Sequence, residues 1–243
     1  MYYDFHDLLA LLIVTAGTAL QAWLGIGFGL VAAPLLYLLA PSWIPGPILI
    51  LGFVLSLLTV LKAKHNLCWS RVSLAIAARL PGAWLGALIL TSIPQYQLSL
   101  LFGGCILLAV WVSGRKEGAP ITRRRLIMGG FFSGLTGTAT SVGGPPIAMV
   151  YQNEERITAR NELAGFFLLG TLLSIAMLAL QGAIGMQDTL HSLRMLPGVI
   201  LGFFIAGYID QFTIGFKVRP VLLAIAAGSA LIIIIKGLQG WLQ

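Results

Sequence analysis

The sequence predicts an all-α, polytopic membrane protein, on three observations. First, 58% of its 243 residues are hydrophobic and only 9% charged, with mean hydropathy +0.94. A soluble domain carries about 25% charged residues. Second, long apolar windows recur at Leu8–Ala40, Ile44–Leu61, Val72–Thr91, Leu98–Val112, Leu126–Tyr151, Leu163–Gln181, Leu190–Ile209 and Val221–Ile235. Most of these eight segments are near the ~20 residues that a membrane helix needs. Third, the basic residues behind the net charge of +7 fall in short gaps between the windows. The positive-inside rule accounts for that placement, and a nucleic-acid partner is not expected.

The first segment is too long for one straight crossing. Its 33 residues would make a helix of roughly 50 Å, against a hydrocarbon core of ~30 Å. It must tilt, break or fold back, and Gly25-Ile-Gly-Phe-Gly29 before Pro34 is where a break costs least. The fifth segment is also long and carries Ser133-Gly-Leu-Thr-Gly-Thr-Ala-Thr-Ser-Val-Gly-Gly-Pro-Pro-Ile147. Inside a bilayer the backbone groups freed at such breaks survive only against protein or a wet cavity.

Lys62, Lys64 and Arg71 follow the second segment, and Arg115, Lys116 and Arg123 to Arg125 separate the fourth from the fifth. These loops are expected to be cytoplasmic. Simple alternation then puts both termini inside, unless the first segment is a re-entrant hairpin, which would place the N-terminus outside. The N-terminal stretch has Asp4 and Asp7 but no Lys or Arg, so it lacks the basic region of a cleaved signal peptide. Cys68 and Cys105 have no metal-ligand spacing and imply no disulfide framework.

The chain also repeats itself. Leu80-Pro-Gly-Ala-Trp-Leu-Gly86 returns as Leu196-Pro-Gly-Val-Ile-Leu-Gly202, and a shift of 112 carries Gly17, Gly25 and Pro34 onto Gly129, Gly137 and Pro146. We expect two repeats of four segments, residues 1–112 and 126–243, joined by a basic linker at 113–125, with the first and fifth helices broken.

The eight carboxylates (Asp4, Asp7, Glu117, Glu154, Glu155, Glu162, Asp188 and Asp210) all fall in loops or near segment ends. A cation carrier commonly places an acid in the membrane interior, so the polar inventory favours an anion. Gly25, Gly27 and Gly29 in the first half, with Thr15, Thr18 and Gln21 before them, are candidates for binding it. So are Thr138, Ser141, Gly143, Gly144 and Pro145 in the second half. There, a helix restarting after a break would present free N–H groups and the positive end of its dipole. The competing reading is close helix packing, which we favour for Gly82, Gly86, Gly198 and Gly202. Arg79 and Arg194, each shortly before the repeated Leu-Pro-Gly, either bind the anion or snorkel to the headgroups. His6, His65 and His191 have no metal-ligand spacing. A hydrolase pairing Ser133 with His191 has no second supporting feature, and no enzyme activity or cofactor is expected.

In these motifs the chain resembles the TauE/SafE sulfite exporters of bacterial membranes. The first half has the Gly-x-Gly-x-Gly…Pro-Leu-Leu pattern (Gly25 to Gly29, then Pro34 to Leu36), and the second has Gly143-Gly-Pro-Pro146 with an apolar run to Tyr151. The basic loop with Lys62, Lys64, Trp69 and Arg71, and the repeated Leu-Pro-Gly-x-x-Leu-Gly, also match. The chain departs at Phe28, where a further glycine is usual, and at Ala139, where the first half has Gly27. The resemblance implies movement of sulfite, sulfoacetate or a related organosulfonate across the bacterial cell membrane. Expected partners are that small anion and the lipid bilayer. A permease for a cation or neutral solute, or a non-transporting membrane subunit, is the alternative. Coupling ion, transport direction and homo-oligomer formation are left open by the sequence.

Overall fold

The computed structural model describes residues 4–25, 27–63, 67–114, 120–209 and 218–242. Expectations that rest on Lys64, His65, Arg115, Lys116, Glu117 and Asp210 lie outside these residues. The described chain is helical throughout, with no strand: α1 (Phe5–Leu24), a π-helix (Phe28–Ala32) running into α2 (Ala33–Leu39), a 3-10 turn (Pro41–Trp43), α3 (Gly46–Lys62), α4 (Trp69–Ser92), α5 (Gln95–Gly114), α6 (Arg123–Thr140), α7 (Gly144–Ala148), α8 (Arg156–Leu180), α9 (Met186–Ile209) and α10 (Val218–Trp241). Six of them (α1, α4, α5, α8, α9 and α10) are long and apolar enough to cross a membrane, and the stretches 28–39 and 46–62 are shorter apolar helices.

Both long segments fold back. Asp4 caps α1, its side chain accepting from Asp7 N at 2.7 Å, and the helix ends at Gly25 in the left-handed region, φ +83°. Gly27 follows at φ +141°. On a straight helix Gly17 and Ala32 would be about 22 Å apart. Instead a Cβ on Gly17 would lie 2.9 Å from Ala32 Cβ. The second half repeats the device. α6 begins at Thr122, whose hydroxyl accepts from Arg125 N, and ends at Ser141, φ +61°. α7 then returns, so that a Cβ on Gly129 would lie 2.8 Å from Val150.

The glycines of the repeated motif are packing surfaces. Gly82 and Gly86 on α4 seat the backbone of α6 at Phe131 and Leu135, while Gly198 and Gly202 on α9 seat α1 at Leu11 and Thr15. Because side-chain bulk is absent there, backbones approach as close membrane helix pairs require. The order of these contacts makes α4 parallel to α6 and α9 parallel to α1. Gly46 at the start of α3 meets Asp188 at the start of α9, and Lys62 at its end lies 5.5 Å over Phe203 near the end of α9. The pair α5 and α10 is antiparallel, with Gly103 against Ile234 and Gly237 against Ser99.

These directions correct simple alternation. Lys62 and the starts of α4, α6 and α8 share one face; Asp7, Gly46, Asp188 and both described chain ends lie on the other. The two hairpins each add a return leg that hydropathy reads as part of one crossing. Glu162 is also deeper than its position near a segment end suggests: it is 1% exposed and lies 3.6 Å from Arg71 on the Lys62 face.

Candidate functional site

The two breaks meet. A Cβ on Gly29 would lie 2.5 Å from the carbonyl oxygen of Ser141, and the Ser141 hydroxyl donates to Pro45 O at 3.2 Å. Each break is bridged within its own hairpin. Gln21 Oε1 accepts from Phe28 N at 3.1 Å, and Ser133 Oγ donates to Gly143 O at 2.6 Å. The shift of 112 that relates the two hairpins carries Gln21 onto Ser133.

Arg79 enters this junction from α4. It is 1% exposed, the bulkiest fully buried side chain among the described residues. Its Nε donates to Gly170 O at 3.1 Å, Nη1 to Ser133 Oγ at 2.9 Å and Nη2 to Ser174 Oγ at 3.1 Å. The guanidinium lies 5.1 Å over the Phe166 ring. Among the described residues no carboxylate is within ion-pair distance of it. A guanidinium has five N–H donors, so these three bonds leave two. Thr138 stands one layer behind, its hydroxyl 2.7 Å from that of Ser174.

Beside Arg79 is a cavity of about 50 Å³, lined by Gly27, Phe28 and Gly29 of one break, Ser141, Gly143, Gly144 and Pro145 of the other, and Gln21, Ser56, Phe167 and Thr171 around them. By the measure that one water needs ~10–15 Å³, it holds a handful of waters or one small ion. Of the residues expected from sequence, Gln21, Gly27, Gly29, Arg79, Ser141, Gly143, Gly144 and Pro145 line this space. Gly25 sits beyond it, against Arg160, where a Cβ would lie 3.0 Å from Arg160 Cα.

Arg194 is elsewhere. Its side chain is 40% exposed and 3.9 Å from Asp7 on the face opposite Lys62. The repeat explains the difference: a shift of 116 carries Leu80 onto Leu196 and Arg79 onto Met195. Arg194 is one residue out of register, and one residue turns a helix by about 100°. Met195, 0% exposed, holds the buried position. Ser133 and His191 are likewise apart, since His191 stacks on Trp43 at 5.4 Å while Ser133 faces Arg79.

The restart after Gly143 is five residues long, Gly144–Ala148, too short for the summed dipole expected of it. Positive charge at the junction therefore comes from Arg79. Sequence reading missed Ser56, Ser174, Phe167 and Thr171. A faint signal existed in Gly52-x-x-x-Ser56 on α3 and Gly170-x-x-x-Ser174 on α8, where each serine donates to its glycine's carbonyl, at 2.8 and 3.1 Å.

Helical hairpins interrupted at their tips, converging on a buried cation among membrane-length helices, define a multi-pass membrane protein of the kind that carries solutes. The family model for the sulfite exporter TauE/SafE matches residues 9–235, and the chain belongs to that family of membrane transporters. Comparisons with curated proteins and with solved structures returned no match.

Proposed function

We propose that this protein moves a small oxyanion, such as sulfite, sulfoacetate or a related organosulfonate, across the cell membrane by alternating access. The observation that carries this reading is Arg79: a fully buried guanidinium with no carboxylate of the described residues beside it, at a cavity of small-ion size. Removing a charge from water costs several kcal/mol unless it is paired. An oxyanion entering the cavity would supply the missing partner through the two remaining N–H groups, in the fork geometry that guanidinium offers. Gly29, Gly143 and Gly144 leave backbone exposed on the cavity wall, and Ser141 fixes the second break beside it.

We read residues 1–112 and 126–243 as repeats of inverted orientation. Supporting this, α1 packs on α9 as α6 packs on α4, while α3 with α8 and α5 with α10 pair across the halves. Such repeats place the site at their interface and allow it to open to either side. The face bearing Lys62, Arg71, Arg123 to Arg125, Arg156 and Arg160 is the cytoplasmic one by the positive-inside rule, which puts both described chain ends outside.

The test is flux of sulfite and sulfoacetate in reconstituted vesicles, with Arg79→Ala and Gly144→Leu. Both variants should fold and lose flux. Flux that survived both would refute the site, and flux driven only by a cation gradient without competition between anions would favour a different solute.

A further inference from the structure

The cavity at Arg79 does not end there. A narrow neck of about 10 Å³ shares Gln21, Ser56 and Phe167 with it, and is completed by Gly25, Thr59 and Arg160. By the same measure it passes about one water. Beyond the neck lies a vestibule of about 210 Å³ on the basic face, which shares Thr59 and Arg160 with the neck and adds Lys62, Asn161, Phe203 and Gly207. Three spaces thus run in line from the end of α3 to Arg79. Their polar walls have one sign: among the described residues no Asp or Glu lines any of the three. Lys62 is held over the Phe203 ring at 5.5 Å, and its Nζ would lie 3.2 Å from a Cβ on Gly207. Asn161 is 3% exposed and its Oδ1 has no hydrogen-bond partner. Its amide can turn either end to the space, because oxygen and nitrogen of an amide exchange places at little change in shape.

We propose that Lys62, Arg160 and Asn161 form a second, outer oxyanion site that captures the solute on the basic face and delivers it past Gly25 to Arg79. This rests on the anion-transport reading above. Cations in a cleft with low-dielectric walls raise the local anion concentration. The amide replaces part of the hydration that the anion sheds before the neck. Gly25 is the narrowest wall, where bulk would press on the Arg160 backbone.

The experiment measures charge selectivity at a thiol placed in the vestibule. Cys68 and Cys105 are replaced by Ala, Thr59→Cys is introduced, and the protein is reconstituted in phosphatidylcholine vesicles with the basic face accessible. Labelling rates are compared for the sulfonatoethyl and the trimethylammonioethyl methanethiosulfonates, each normalised to its rate with a free thiol. The anionic reagent should be favoured by roughly tenfold, and Lys62→Gln with Arg160→Gln should bring the ratio close to one. If Thr59→Cys does not fold, Ala63→Cys, on the same vestibule, gives the same readout. A ratio at or below one, a ratio unchanged by neutralising both cations, or no labelling of either thiol overturns the proposal. Repetition in phosphatidylglycerol vesicles separates the sources of oxyanion. There each rate is normalised to that of the exposed Cys68, kept as the sole thiol in a reference protein in the same vesicles, to cancel the surface potential; a preference that persists supports a solute site, and one that vanishes assigns the vestibule to lipid headgroups and overturns it. Sulfite flux is measured on the cysteine-free parent. Flux without anion preference removes the outer site and leaves transport standing; preference without flux supports the outer site and removes sulfite as the cargo.

Discussion

Replacement of Arg79 by Met separates a residue kept for binding from one kept for folding. The guanidinium makes three hydrogen bonds, to Gly170 O, Ser133 Oγ and Ser174 Oγ. Bonds from a charged donor contribute about 1.5–3 kcal/mol each, so about 5–9 kcal/mol is lost with them. Against this stands the penalty of several kcal/mol for burying the cation. The hydroxyls left behind keep partners, since Ser133 still donates to Gly143 O and Ser174 still pairs with Thr138. The ligand-free variant should therefore melt within a few degrees of the parent. Bound anion is different. At a hundred times its Kd a ligand stabilises the folded state by about 2.7 kcal/mol, which for a chain of this length shifts the melting temperature by about 5–11 °C. The parent in detergent should show that upshift with sulfite or sulfoacetate, and Arg79→Met none. An equal upshift in both proteins would refute the assignment of Arg79 to the anion. A collapse of the ligand-free variant would show that the guanidinium is structural.

Gly29→Ala should reduce flux by tenfold or more and lower the melting temperature, because its Cβ would lie 2.5 Å from Ser141 O and drive the two breaks apart; unchanged flux would mean the breaks need not touch. Gly144→Ala has room, its Cβ 3.9 Å from the Phe167 ring, and should retain flux within about twofold, whereas Gly144→Leu should fill the cavity and abolish it while leaving the melt unchanged. Arg194→Ala should transport like the parent, since its side chain is half-exposed against Asp7 and far from the cavity; lost flux would restore it as a site residue. In intact cells an impermeant thiol reagent should label cysteines placed at Phe5 and Trp241 from outside but not the exposed native Cys68, and the reverse pattern would invert the proposed orientation.

Hydropathy made the helices legible because crossing a bilayer demands long uninterrupted apolar runs, and Gly25 and Gly143 were legible as breaks because glycine clusters cost helix stability. What happens after a break was not legible. An apolar window reads the same whether the chain continues or reverses, and the reversal shows only in close approaches such as Gly17 to Ala32. Arg79 was visible as a charge inside a segment, but its depth was not. Arg194 looked equivalent until the register of the motif placed Met195 at the matching position. Ser56 and Ser174 gave only the faint Gly-x-x-x-Ser signal and Thr171 none, since such hydroxyls in membrane helices ordinarily bond the carbonyl four residues back. All three do that here as well. Only the arginine reaching Ser174 and the cavity beside Ser56 and Thr171 mark them out.

The repeat reading, taken with that register difference, gives the site its asymmetry. Two hairpins of the same design, bridged at Gln21 and Ser133, surround a cavity whose cation comes from one half alone; the other half supplies Met195 at the counterpart position. One guanidinium with two unused donors suits a single anion. Among the described residues, polar links at the face opposite Lys62 include Ser141 Oγ to Pro45 O at 3.2 Å, Thr91 Oγ1 to Gln181 Oε1 at 3.0 Å, Ser192 Oγ to Pro47 O at 3.4 Å and Tyr37 Oη with Ser99 Oγ at 2.6 Å. Each contributes about 1 kcal/mol net. On the basic face the neck at Gly25 is about one water wide. On the alternating-access reading proposed above, an anion at Arg79 would sit between those links and the neck at Gly25, and the difference in its contacts toward the two sides would decide by which it leaves.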